Sequence, residues 1–308
     1  MNIVKNRIIQ PIICNDDQFG NLVDPYDAKS FHPRPKVLNI FPTAGDPSFL
    51  AKKALESDLS EVVKLRIDPI NKCNLQCIFC TTNLQEEHSQ IEIEYISQIL
   101  NKISKTCQRI SLGCHFEPLM AKNIDEYLDV IDKTVKNFFK NKPIVTMVTN
   151  GLLLDKRNIN LIEILDWIHI SVHSHKKENF ELIEKNAKFE TLVKNIKYIR
   201  NKFKNLNIHI EFVANKKNKN DIEEFIPWAL NELNVNSLNI RRVGTKYYAP
   251  NSYLEKSINN NQDLSISDTE WINIEKKILS TFPQSKKNKT PGFGLDLSNS
   301  PSLNVIEL

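Results

Sequence analysis

Leu65 to Thr82 reads LRIDPINKCNLQCIFCTT, and three of the chain's six cysteines fall inside it: Cys73, Cys77 and Cys80, at the spacing C-x-x-x-C-x-x-C. An apolar, strand-like run containing Val62, Val63, Leu65 and Ile67 leads into them, so the thiols are expected on a loop at a strand's end. Thiolates are the soft ligands that iron–sulfur clusters favour, and a short loop can wrap three of them around one cubane. Three ligands leave one iron without a nearby cysteine. Two other readings of the residues stay open: a zinc site completed by a distant Cys or His, and thiols that hold no metal. Zinc sites more often pair one C-x-x-C with a second, and no second pair occurs here.

This stretch resembles the cluster loop of the radical S-adenosylmethionine (SAM) enzymes. That loop follows the first barrel strand, holds a [4Fe-4S] cluster at this spacing and commonly carries an aromatic residue before the third cysteine, the place Phe79 fills. The resemblance implies that Cys73, Cys77 and Cys80 hold the cluster and that its open iron chelates the amino and carboxylate groups of SAM. It further implies one-electron cleavage of SAM to methionine and a 5′-deoxyadenosyl radical, which takes a hydrogen from a substrate. A small molecule or peptide would be that substrate, and a donor such as flavodoxin or ferredoxin would supply the electron. Relatives with auxiliary clusters carry further cysteines in a C-terminal domain, whereas no cysteine follows Cys114 here, so one cluster is expected.

Downstream of the loop, helical and strand-like periodicities alternate, the pattern of a parallel sheet or barrel. Ile93, Ile96, Leu100 and Ile103 place a helix over 91–104, and Arg109 to Cys114 reads as the second strand. A helix over 121–139, a strand over 144–148, a short helix over 159–165 and a strand over 167–172 follow. A broken helical region over 177–202 leads to strands over 207–213 and 237–243. Asn220 with Glu223, and Ser267 with Glu270, are spaced as capping boxes for helices reaching about Asn231 and Leu279. Six strands with intervening helices match the partial (β/α)6 TIM-like barrel of radical SAM cores. The implied division is an N-terminal extension (1–60), a core barrel (61–245) and a C-terminal helix and tail (246–308).

Before residue 60, Pro11, Pro25, Pro33, Pro35, Pro42 and Pro47 argue against long regular elements, although Pro47 with Phe49, Leu50 and Leu55 suits a short helix. The tail from Ser285, with polar runs and Pro291, is expected to be disordered or ordered only against the barrel.

If the barrel forms, its chemistry belongs on loops at the C-terminal strand ends. Gly113-Cys114-His115-Phe116-Glu117-Pro118 is similar to the family's GGEP segment with only E-P intact, which implies that Glu117 contacts the SAM amino group. A Glu at a helix start is the plainer reading of the same residue. Thr149-Asn150-Gly151 is similar to the family's T-N-G and nominates Asn150 for shaping the cofactor pocket. Ile170-Ser171-Val172-His173 is similar to its I-S-hydrophobic-D. Ser171 is then a candidate hydrogen-bond partner of SAM, and His173 a candidate for the substrate side. Glu211 and Asn215 lie on the fifth strand. Only one of the strand neighbours Arg241 and Arg242 faces inward, and alternation does not say which; Arg241 is taken as the cofactor-facing candidate. His169, His175 and His209 show no H-E-x-x-H spacing and read as ordinary. Cys14 has no metal-type neighbour and reads as structural, and Cys107 has no assigned role; Cys114, after the second strand, reads either as a hydrogen-atom donor or covalent site or, more commonly, as a buried inert thiol.

At 308 residues and 41% hydrophobic content the chain can build a large α/β core. A net charge of +4, spread widely, favours a solvated surface over the concentrated basic footprint of a nucleic-acid binder. No run approaches the ~18 apolar residues of a membrane span and MNIVKNRIIQ lacks a signal-peptide core, so the cytoplasm is the expected compartment and no membrane partner is expected. Two rivals from other classes remain: a non-catalytic Fe–S electron carrier and a zinc-stabilised binding protein.

Overall fold

The computed structural model describes residues 12–15, 36–40, 47–80, 88–154, 159–243, 263–282, 285–287 and 292–296. In chain order the strands are β1 (Ile12–Asn15), β2 (Lys36–Ile40), β3 (Val62–Ile67), β4 (Gln76–Cys77), β5 (Arg109–Leu112) and β6 (Ile144–Thr149). Then come β7 (Trp167–Ser171), β8 (Glu184–Lys185), β9 (Asn207–Ala214), β10 (Ser237–Arg242), β11 (Ser285–Lys287) and β12 (Gly292–Asp296). The helices are α1 (Pro47–Leu55), α2 (Ile93–Ile103), α3 (Ile124–Phe138), α4 (Lys177–Ile183), α5 (Phe189–Lys202), α6 (Ile222–Asn231) and α7 (Asp268–Thr281). They fall into two compact units, one drawn from 1–72 and 85–146, the other from 73–84 and 147–308.

In the first unit β2, β3 and β5 run parallel, with Leu38 beside Leu65 and Leu65 beside Ile110. Leu65, Ile67, Ile110 and Leu112 are buried, and α2 adds Ile96, Ile99, Leu100 and Ile103 from one stripe at 3.6-residue spacing. α3 packs beside α2 through Tyr127, Leu128 and Ile131, and the Tyr127 hydroxyl donates to the Ile91 carbonyl, so its polar end is satisfied in the core.

In the second unit β7, β9 and β10 are parallel, β12 runs antiparallel to β10, and β11 antiparallel to β12. Side chains alternate across this sheet. One face presents Ile168, Ile170, Ile208, Ile210, Phe212, Leu238 and Ile240, all buried, and the Phe212 ring meets Phe225 of α6 at 4.6 Å. The register places His169, His209 and Ser237 level on the other face, with Ser171, Glu211 and Asn239 level one pleat further along. That face is polar, and chemistry can be built on it.

The helix and strand assignments from periodicity stand within a few residues, with four differences. Two strands, β1 and β2, lie in the proline-rich start, because the prolines flank these short stretches and none interrupts them. The region 177–202 is α4, the two-residue β8 and then α5, since the chain between the helices pairs with the cluster loop. The tail from Ser285 contributes β11 and β12. Finally, Ser267 and Glu270 form their capping box, but Asn220 and Glu223 do not: α6 starts after a 3-10 turn over Lys219–Asp221 and has no side-chain cap bond. The Asp221 carboxylate there accepts instead from Ser174 Oγ (2.8 Å) and Asn179 Nδ2 (2.7 Å). Among the described residues no helix is long and apolar enough to cross a membrane.

Candidate active site

The cysteine loop lies in the second unit, and all three thiols are half-buried. β4 pairs antiparallel with β8, setting Cys77 opposite Glu184, and the Ile78 N–H donates to the Ile183 carbonyl at 3.0 Å. The Cys80 N–H closes a turn on the Cys77 carbonyl (3.0 Å), and the Leu75 N–H points at Cys73 Sγ (3.4 Å). Ile78 and Phe79 anchor the loop against Val213, Val243 and Leu264. Burial pushes the Cys77 thiol well above its ordinary value, and negative charge on Glu184, Cys80 and Cys73 would push it further. Thiolates gathered this closely repel one another until a positive core joins them. A three-thiolate set with that requirement fits an iron–sulfur cluster.

Asn150, from the end of β6, reaches this loop with a polar side chain. Its Nδ2 donates to Asn74 Oδ1 at 2.8 Å and lies 3.9 Å from Cys73 Sγ, while its Oδ1 accepts from the Leu152 N–H at 3.0 Å. Gly151 permits the turn: its φ is +76°, and a Cβ there would stand 2.7 Å from Leu192 Cδ1.

Beneath Phe79 lies His173, whose ring meets it edge-on at 4.9 Å. His173 is buried, its Nδ1 accepts from the Val213 N–H at 3.0 Å, and burial chiefly, with Arg241 nearby, lowers its pKa to about 3. It is a neutral strut between strand ends, in contrast to the substrate-side role suggested by its place in the I-S-x-H segment. Glu184, also fully buried, accepts from the His173 N–H at 3.2 Å through Oε1, and burial raises its carboxyl well above the usual range. Sequence reasoning missed Glu184, because nothing in E-K-N-A announces a residue opposite Cys77.

On the polar sheet face Ser171 is half-buried at the end of β7, level with Glu211. Burial works against the Glu211 carboxylate, yet a hydrogen bond from His209 and the charges of His209, Arg241 and His169 hold it down at about 2. Arg241 is therefore on this face, whereas Arg242 turns to Asp268 and the Ile266 carbonyl.

In the first unit Glu117 is buried and caps the 3-10 turn Pro118–Met120, accepting from the Leu119 N–H at 3.1 Å. Gly113 has φ +71°, so the one glycine of the segment takes the left-handed turn. Where the family has its two glycines, the His115 and Phe116 N–H groups, with that of Cys114, converge on fully buried Asp68 at 2.6–3.4 Å. Sequence reasoning missed Asp68 too; its signal was a carboxylate directly after the strand-like stretch that ends at Ile67. Burial raises Cys107 and Cys114 to about 12, the profile of unreactive thiols. Cys14 lies in β1, its backbone level with Val37.

Residues 67–229 match the family model described as the Radical SAM superfamily. Over 128 residues the chain is 30% identical to a probable GTP 3′,8-cyclase of Methanocella arvoryzae, covering 40% of this chain and 38% of that protein. It is 29% identical over 144 residues to one of Methanocaldococcus jannaschii, covering 44% and 45%. The chain thus spans less than half the length of these relatives. Among solved structures it resembles anSMEcpe with bound AdoMet (TM-score 0.56, 16% identity, 71% of this chain and 60% of that one). It also resembles coproporphyrinogen III oxidase from Escherichia coli, a radical SAM enzyme (TM-score 0.52, 13% identity, 84% and 60%). The likeness in fold establishes an α/β chain with the partial TIM-like barrel of these enzymes. With more than half its length matched by the family model, the chain belongs to the radical SAM superfamily, enzymes whose cofactors are a [4Fe-4S] cluster and SAM.

Proposed function

We propose that the chain reductively cleaves SAM and uses the resulting radical to take a hydrogen from a substrate C–H bond, with Cys73, Cys77 and Cys80 as the cluster ligands. The observation that carries this reading is the thiol loop itself: three half-buried cysteines within eight residues, strapped down by β8 and by Phe79. When bound, the cluster supplies one electron to SAM, giving methionine and a 5′-deoxyadenosyl group that ends as 5′-deoxyadenosine after gaining the substrate's hydrogen atom. The chain's residues bind and orient. Asn150 holds the loop through Asn74, and Phe79 seals its underside against Val213, Val243 and Leu264. Glu117, Ser171 and Arg241 are proposed SAM contacts, a carboxylate suiting the ammonium and a guanidinium the carboxylate of the methionine part. Glu117 would do so while its Oε1 caps a turn.

The clustered thiols support a cytoplasmic setting with a flavodoxin- or ferredoxin-type donor. GTP is the substrate to assay first, because the curated relatives carry the name GTP 3′,8-cyclase. Anaerobic reconstitution with iron and sulfide, reduction, and assay of 5′-deoxyadenosine test the reading. Formation that depends on SAM and falls at least about 100-fold in Cys77→Ala is expected, since one missing thiolate uncouples the cluster. Equal product from both proteins, or none from the wild type, would refute it.

A further inference from the structure

His169, His209 and Glu211 do not belong to the thiol loop. The parallel register brings them together: His169 is level with His209 across β7 and β9, and Glu211 is the next residue on that face of β9. One ligand atom from each lies within 4.8 Å of the others, and His209 Nε2 is 3.3 Å from Glu211 Oε1. A tetrahedron with bonds of roughly 2.1 Å has edges of about 3.4 Å, so this pair already has the separation of two ligands on one ion.

A second observation points the same way. β10 holds both ligands from behind, at matching register: Ser237 Oγ is 2.7 Å from His209 Nδ1, and Asn239 Nδ2 donates to Glu211 Oε2 at 3.1 Å. Without an ion, His209 Nε2 donates to Glu211 Oε1; an ion would take the place of that proton, with Ser237 still holding Nδ1. Outer contacts of this kind fix the tautomer and the carboxylate plane at metal sites. His209 is buried while His169 and Glu211 are half-buried, so the group has a closed back and an open front.

We propose that His169, His209 and Glu211 bind a divalent first-row transition ion of the zinc type on the polar face of the β7–β9–β10 sheet. Two imidazoles and one carboxylate make a borderline donor set that suits such ions. Three protein ligands leave at least one position for water or for an oxygen or nitrogen donor of a small molecule, the pattern of open sites. None of the cysteines takes part, so the site stands whether or not the loop holds a cluster.

Zinc itself is the probe. Protein reconstituted with its cluster, so that the loop thiols are filled, is titrated with zinc against a chromophoric chelator. One zinc per chain beyond the cluster metal is expected. Its affinity should fall at least about tenfold in His169→Ala and in Glu211→Gln, and about 10- to 100-fold in Ser237→Ala, which leaves all three ligands in place. Iron content and the thermal midpoint serve as controls for folding. No zinc beyond the cluster, or equal affinity in the wild type and all three variants, would overturn the proposal. So would a catalytic defect in Glu211→Gln with wild-type zinc affinity, which would make the group a proton relay.

Discussion

Gly151 shows how one residue without a side chain sets the site. Its positive φ turns the chain after β6 so that Asn150 reaches Asn74, and its missing Cβ leaves room for Leu192 and Ile170. Gly151→Ala is expected to cost about 1–3 kcal/mol from the left-handed conformation and the contact together. A thermal midpoint lowered by several degrees would show it; an unchanged midpoint would mean that the turn relaxes. His173 makes a pH-dependent contribution. Its imidazole is lowered from 6.5 to about 3 in the fold, first by burial and then by Arg241. Between those values the unfolded chain binds a proton that the native one refuses, so this stabilisation is complete above about pH 6.5 and drains away towards pH 3. His173→Asn keeps an acceptor for the Val213 N–H and removes the titration. Urea melts should show a shallower fall in its stability from pH 6.5 to 5, and a slope equal to the wild type's would count against a neutral buried imidazole. The thiol loop was legible because all its information is local. The grouping of His169, His209 and Glu211 was not, because it depends on which residue of β7 stands level with which residue of β9.

At the scale of elements, helices with a full apolar stripe were legible. Ile96, Ile99, Leu100 and Ile103 mark α2 in any context. The short strands β1, β2, β11 and β12 were not, since three to five residues carry little periodicity and their pairing is supplied by a neighbouring strand. Capping boxes divide along the same line. Ser267 accepts from the Glu270 N–H at 3.3 Å while Glu270 Oε2 accepts from the Ser267 N–H at 3.1 Å, so the box is closed within its own four residues. At the start of α6 the tertiary bonds of Asp221 to Ser174 and Asn179 replace the local pattern. Ser267→Ala should therefore destabilise α7 by about 1 kcal/mol, visible as faster amide exchange in its first turn. Unchanged exchange there would show that burial of Trp271 and Ile278 holds the helix without its cap.

At the scale of the molecule, the family match over residues 67–229 covers strands and helices of both units, and the fold it implies agrees with the α/β alternation read from periodicity. What the family does not fix is the substrate, because reactions within one fold diverge through the side chains on its strand ends. The departures here are specific: His115 and Phe116 bound to Asp68 where glycines are usual, and a neutral His173 where an acidic residue often stands. The central claim is that Cys73, Cys77 and Cys80 hold one cluster whose open iron meets SAM. The most direct test is electron paramagnetic resonance of the reduced, anaerobically reconstituted protein, with and without SAM, alongside iron analysis. The account predicts about four iron atoms per chain and a reduced [4Fe-4S] signal whose g-values shift on adding SAM. A cluster signal indifferent to SAM, or a colourless protein carrying only zinc on these cysteines, would contradict it.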